Sequence, residues 1–109
     1  TLTNTTNIGA STAYLSQWVR VGNVVTVSGK IDIDITTTLL ASDLGVSLPI
    51  ASAFTNERDC GGIATSDSEQ TATIRIKADA TNDRAQFVWT GQAGTGNLSY
   101  SFTFTYLIL

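Results

Sequence analysis

Cys60 is the only thiol of the chain and sits in Asp59-Cys60-Gly61-Gly62. A nucleophilic cysteine needs a neighbour that generates thiolate, and the sequence contains no His at all. Cys60 therefore reads as a small buried hydrophobe. The missing His also excludes Ser-His-Asp and Cys-His catalysis and His-bearing zinc sites. Asp32 and Asp34 stand two apart, on one face of any strand, and invite a Ca²⁺ or paired-carboxylate reading. Two carboxylates fill only part of a Ca²⁺ shell, and nothing nearby would set their proton affinities apart as a glycosidase pair requires. A solvated strand face is the expectation.

Asp79, Asn82 and Asp83 lack the ligand spacing of an EF-hand and read as a turn. Gly91-Gln92-Ala93-Gly94-Thr95-Gly96 has a glycine density like a phosphate loop. It has no Lys-Ser/Thr ending and leads into a strand pattern, so it reads as a flexible connection. Trp18 and Trp89 are the two candidates for stacking on a sugar. Both fall on the apolar face of an alternating pattern and are expected in the core. No catalytic residue, metal ligand set or cofactor is expected.

These residues must be positioned by strands. Thr and Ser make up about a quarter of the 109 residues, and charged residues only 14%. Thr favours strands and Ser favours turns. From Val25 to Ile35 the odd positions are apolar, apart from Gly29, and the even ones polar. Gly29 predicts a bulge or a bend over a bulky neighbour. Gly22-Asn23 fits a tight hairpin turn. Its register opposes Val21 to Val24, Arg20 to Val25, Trp18 to Val27 and Tyr14 to Ile31. Trp18 and Tyr14 then join the core face.

Leu98 to Ile108 alternates so strongly in aromatic residues that it reads as a central strand. Ala72–Ala78 and Ala85–Trp89 alternate likewise, joined by the turn Asp79–Arg84. Val46–Phe54, with Pro49 at an edge or bulge, and Cys60–Thr65 are weaker strand candidates. Leu39–Leu44 has room for one helical turn. The expected fold is all-β: an antiparallel, jelly-roll-like β-sandwich of about seven strands with no substantial helix. Residues 1–12 are expected as an N-terminal extension or edge strand and 13–109 as a single domain. The first residue is Thr rather than Met, which reads as a fragment or processed chain with more sequence upstream.

Alternating direction sorts the connections. Gly22-Asn23, Thr55–Asp59 and Asp79–Arg84 belong at one end; Thr36–Gly45, Asp67–Gln70 and Gly91–Gly96 belong at the other. The first end gathers Asn56, Glu57, Arg58, Asp59, Asn82, Asp83 and Arg84, the candidate ligand-binding loops. Val19, Val21 and Val24, with Leu107 and Leu109, make the opposite strand face more apolar than water requires. They are the candidate interface between subunits. A net charge of −3, with no basic run among six Lys and Arg, argues against nucleic-acid binding. No apolar stretch is long enough to insert in a membrane as a helix.

Three stretches carry a resemblance. Trp18–Gly29 resembles a hairpin recurring in tailed-bacteriophage fibre and other virion structural proteins. Ser47–Ser52 resembles the segment that follows it there, and Tyr100–Tyr106 the closing strand. The resemblance implies a C-terminal β-sandwich domain of a virion protein, homotrimeric and in contact with the host surface. On that reading the chain is a non-enzymatic fibre tip that recognises a bacterial surface glycan or protein. The alternatives are a purely structural head-fibre or decoration domain and a carbohydrate-binding module of a larger protein. An exposed aromatic platform would favour the last of these.

Overall fold

The computed structural model describes residues 1–66, 73–90 and 96–109. The Asp67–Gln70 connection, Ala72 and the first five residues of the Gly91–Gly96 segment lie outside the described residues. The described strands are β1 (Leu2–Thr6), β2 (Ile8–Ala13), β3 (Gln17–Val21), β4 (Val24–Ile35), β5 (Ala41–Val46), β6 (Cys60–Ser66), β7 (Ile74–Asp79), β8 (Arg84–Thr90) and β9 (Gly96–Leu107). They form one antiparallel sheet in the order β1-β5-β8-β7-β6-β9-β4-β2, and β3 shares the outer edge of β4 with β2. Its two margins, β1 and β2, come together. The sheet is thus curled nearly closed into a barrel-like sandwich. Among the described residues the helical content is one 3-10 turn, Glu57–Asp59.

The all-β antiparallel class is the one the alternation predicts, but the described residues form nine strands rather than about seven. The first thirteen residues supply two of them, β1 and β2, at the two margins of the sheet. The alternating side chains fill one interior. Val25, Val27, Ile31, Ile33 and Ile35 of β4 are buried, as are Tyr100, Phe102, Phe104 and Tyr106 of β9. From β8, Phe87 meets Phe102 and Phe104 edge-on, at centroid distances of 5.4 and 6.2 Å. β9 is central, between β4 and β6.

Gly29 behaves as its place in the pattern predicts. It lies opposite Phe102, and a Cβ there would stand 3.0 Å from the Phe102 ring and 2.6 Å from Ser16 Cβ. The hairpin register also holds for Val21, Arg20 and Trp18 against Val24, Val25 and Val27. Gly22 takes a φ of +61°, the left-handed value a tight hairpin turn needs at its first central residue.

Four expectations fail locally. Ile31 pairs with Ala13, not Tyr14, because Tyr14–Ser16 leaves the sheet and splits the edge into β2 and β3. Trp18 is 50% exposed. Its face is the inward one, but β3 hangs at the margin and no described strand covers it. Leu39–Leu44 forms no helical turn; bends and a turn over 36–40 lead into β5. Val46–Phe54 is not a strand beyond Val46 itself.

The residues after Val46 run as a strap across the end of the barrel that holds Gly22. Pro49 has no N–H for a ladder, so side chains anchor the strap instead. Tyr106 Oη donates to Ile50 O at 2.7 Å and accepts from Ile50 N at 3.2 Å. Ser52 Oγ donates to Leu107 O at 2.8 Å, and Leu109 N donates to Ser52 Oγ.

Candidate functional site

The observed registers bring Gly22-Asn23, Thr55–Asp59 and Asp79–Arg84 to one end, as strand direction predicts. At the Gly22 end the polar loop residues come together, and they are engaged with the chain itself. Asp83 Oδ1 accepts from Phe54 N at 2.9 Å, which pins the strap to the β7–β8 turn. Asp59 accepts from the backbone N–H groups of Thr55 and Asn56. Glu57 pairs with Lys77 at 2.8 Å. Asp79 accepts from Asn82 Nδ2 and from Arg84 Nε, each at 2.9 Å. Burial opposes ionisation of Asp79, but these bonds and the Asn82 backbone N–H outweigh it and lower its pKa. The Lys77 ammonium holds Glu57 low, and the Asn56 and Thr55 N–H groups do the same for Asp59. Arg58 and Asn82 remain exposed.

The chemistry-bearing residues are placed as follows. Cys60 is buried, and burial pushes its thiol up to about 12. Trp89 is buried beside Tyr100. Asp32, expected on a solvated face, is only 8% exposed. Its carboxylate accepts from Ser99 Oγ at 2.6 Å, Tyr14 Oη at 2.7 Å and Asn97 Nδ2 at 3.0 Å. Those donors, Ser99 foremost, hold its pKa below the usual carboxylate value. The outer face of β4 is covered here because β2 flanks it on one side and β9 on the other, and Tyr14 folds across. Asp34 is partly buried. Among the described residues no three of Cys, Asp and Glu gather as a metal site. No described helix is long and apolar enough to cross a membrane.

The margin between β1 and β2 is where an open site forms. Near Asn7 it is shut. Ser11 Oγ hydrogen-bonds Asn4 Oδ1, and Asn7 Nδ2 donates to Thr37 O and Ser42 Oγ. Asn7 holds a φ of 59°, a left-handed value that Asn tolerates better than most residues. Toward the Gly22 end the margin opens into a groove of about 290 Å³. Its lining includes Val27, Ile31 and Phe102 from the core. One side carries Tyr14, Ser16 and Trp18; the other carries Leu2 and the start of the strap, Ser47–Pro49. Tyr14 and Trp18 are both half exposed.

The sequence reading missed this groove because it placed both aromatic residues in the core. Its one signal was the break in alternation at Tyr14-Leu15-Ser16. The candidate interface residues Val19, Val21, Val24, Leu107 and Leu109 are all exposed, Val21 most at 73%. Ile63 of β6 joins them on the same outer face, opposite Thr103.

The fold thus defines a curled all-β domain with an open groove at one margin and an apolar patch on its outer face. No family model matches the chain, and neither the curated proteins nor the solved structures contain a match to it.

Proposed function

We propose that the chain is a non-enzymatic virion domain of a tailed bacteriophage, from a fibre or a related surface protein, and that it assembles as a homotrimer to take part in host-surface recognition. The observation that carries the assembly is the outer face of β3, β4, β9 and β6. Val19, Val21, Val24, Leu107 and Ile63 stand exposed on it. Between them lie only small hydroxyl side chains, paired across strands as Thr26 with Thr105 and Ser28 with Thr103. This patch is apolar, with Lys30 on β4 and Arg75 and Lys77 beyond β6 only at its border, and so fits the charge-depleted core and charged rim of an interface. Closed symmetry is the usual way to cover such a face. The number three comes from the fibre resemblance rather than from geometry.

Binding rather than turnover is supported by the state of the candidate reactive groups. The Cys60 thiol is held protonated, and the Asp32 carboxylate is held ionised with three donors on it. The half-exposed Trp18 at the groove favours a second reading, a carbohydrate-binding module of a larger protein. The two readings share a ligand class and differ in assembly.

Sedimentation of the purified domain at micromolar concentration tests the assembly. The expected mass is three times 11.5 kDa. A monomer would overturn it, and a dimer would overturn the stoichiometry. Adsorption of labelled domain to a panel of bacterial cells tests the recognition. Uniform absence of adsorption would leave only the structural decoration role.

A further inference from the structure

We infer that the free edge of β3 pairs with the β3 edge of a second copy, antiparallel about a twofold axis at Val19, so that Trp18 of each copy faces Arg20 of the other. Which backbone groups of β3 are free follows from the hairpin. Gly22-Asn23 is a two-residue turn, so Val21 and Val24 close it as a hydrogen-bonded pair. Alternation makes Val19–Thr26 and Gln17–Ser28 bonded pairs as well. Farther along the same edge of β4, Lys30 O accepts from Tyr14 N at 3.2 Å, which agrees with even residues of β4 bonding to this side. The N–H and C=O groups of Trp18 and Arg20 therefore point away from β4. β3 pairs with β4 alone and all of its residues are exposed. Among the described residues nothing bonds those free backbone groups. The other strand on this edge of β4 is different: β2 meets β1, and Ser11 Oγ bonds Asn4 Oδ1.

N–H and C=O groups at strand spacing are matched by another extended backbone. The side chains select a second copy. In the antiparallel register centred on Val19, every residue of β3 has a partner: Trp18 opposite Arg20, Val19 opposite Val19, and Gln17 opposite Val21. Trp18 and Arg20 then form the bonded pairs, the phase that their free groups require. The two share one face of β3, because they oppose Val27 and Val25, which both point inward. Each half-exposed indole thus meets a guanidinium, a cation–π contact. Arg20 has its Nε on Gly22 O at 2.7 Å, and the rest of the guanidinium remains to face the ring. The two Val19 side chains form the non-bonded pair, where side chains approach closest, and join the outer apolar patches of the two copies.

Other registers fit worse. A shift toward the turn sets Arg20 opposite Arg20, a like-charge pair. A shift the other way leaves Arg20 and Val21 opposite residues outside β3. A charge on a short edge strand usually guards it against pairing; here the one charge falls opposite an aromatic ring.

This contact uses an edge rather than the outer face and does not rest on the threefold assembly proposed above. So short a strand makes a small contact. It is expected at millimolar concentration, or between copies already held close together.

The test uses the wild-type chain and a Leu107→Lys chain, in which a charge on β9 blocks assembly through the outer face. Sedimentation of Leu107→Lys from micromolar to millimolar concentration should show a monomer passing to twice 11.5 kDa. A monomer throughout would overturn the inference. Adding Arg20→Pro removes one free N–H and the guanidinium but no β3–β4 hydrogen bond, the kind of edge position that tolerates Pro. It should abolish the dimer, and a dimer that survives it would overturn the edge contact. Arg20→Ala should weaken the dimer about tenfold, since both cation–π contacts go.

Amide hydrogen exchange reads the edge of the wild-type chain without any variant. The Trp18 and Arg20 amides should slow tenfold or more between dilute and millimolar solution, while Val19, bonded to Thr26, stays as it was. Exchange at Trp18 and Arg20 independent of concentration would overturn the inference. Slowing only when a different extended peptide is added would give the edge to another partner and overturn it too. Oxidation to a disulfide reads the register. Val19→Cys should cross-link two chains; Val21→Cys, more exposed but opposite Gln17, should not, and the reverse result would overturn the register. A chain that sediments as a trimer with unprotected edge amides would leave the threefold assembly standing without this contact. A dimer with protected edge amides that never reaches three copies would do the opposite.

Discussion

The Tyr14 hydroxyl donates to Asp32 Oδ2 at 2.7 Å and so ties the segment that interrupts the edge of the sheet to the strand behind it. The pair has opposite responses to pH. Hydrogen bonds from Ser99, Tyr14 and Asn97 hold Asp32 below its ordinary value. Its contribution to stability is present above the unfolded carboxylate value, about 4, and is lost as pH falls through the folded value. The hydrogen bond to Asp32 raises the Tyr14 phenol. That contribution is present below the unfolded value, about 10, and is lost as pH rises through the folded one. Melting curves from pH 2 to 11 should show Asp32→Asn less stable than wild type by several degrees between about pH 5 and 9. The two should converge in acid. A difference independent of pH would remove the ionised carboxylate from the account.

Glycine substitutions should rank by what the new methyl group meets. At Gly62 a Cβ would stand 2.2 Å from Thr103 O and 2.6 Å from Phe104 Cα. That is backbone of the central strand, which has nowhere to move. At Gly29 the nearest atoms belong to Ser16 and the Phe102 ring, and the Tyr14–Ser16 segment is able to yield. Gly29→Ala is expected to cost about 1–3 kcal/mol, the usual range for overpacking, and Gly62→Ala more. Urea unfolding of both variants checks the order, and the reverse order would contradict the packing described for the β6–β9 pair.

Cys60 should behave as an inert core side chain. It is 3% exposed, with its thiol pushed up to about 12. At pH 8 the folded domain is expected to resist an aromatic disulfide reagent for as long as it stays folded. Labelling should appear with the unfolding transition in urea. Fast stoichiometric labelling of the folded domain would show that the strap and β9 do not seal this end.

A charge placed on the bare outer face should separate assembly from folding. Val21 is 73% exposed and faces away from the core, so Val21→Lys should change stability of the isolated chain by no more than about 0.5 kcal/mol. In an interface the same ammonium would be buried without a partner. Sedimentation is expected to show the variant shifted to monomer at concentrations where wild type is assembled, with its circular dichroism unchanged. An unaltered oligomer would mean that the subunits meet elsewhere.

Much of this fold is legible in the sequence because a strand reports its two faces with period two. The alternation of Val25 to Ile35 and of Tyr100 to Tyr106 sets which side chains are buried, and Gly22-Asn23 sets the hairpin register. Gly29 announces the close approach of a bulky neighbour, which the structure identifies as Phe102. The grouping of the Gly22-end loops also follows from strand direction alone. None of this depends on which strand ends up beside which.

The tertiary structure decided everything that depends on the margins of the sheet. Alternation gives Trp18 an inward face but does not say whether another strand lies opposite, and at the β1–β2 margin none does. Asp32 points outward by the same pattern, yet it is covered because Tyr14 leaves the strand and folds over it. The strap at Pro49 reads as a strand in one dimension and is held by Tyr106 and Leu107, more than fifty residues away. Period-two patterning is a property of one strand and its nearest partners, whereas burial at an edge is set by how far the whole sheet curls.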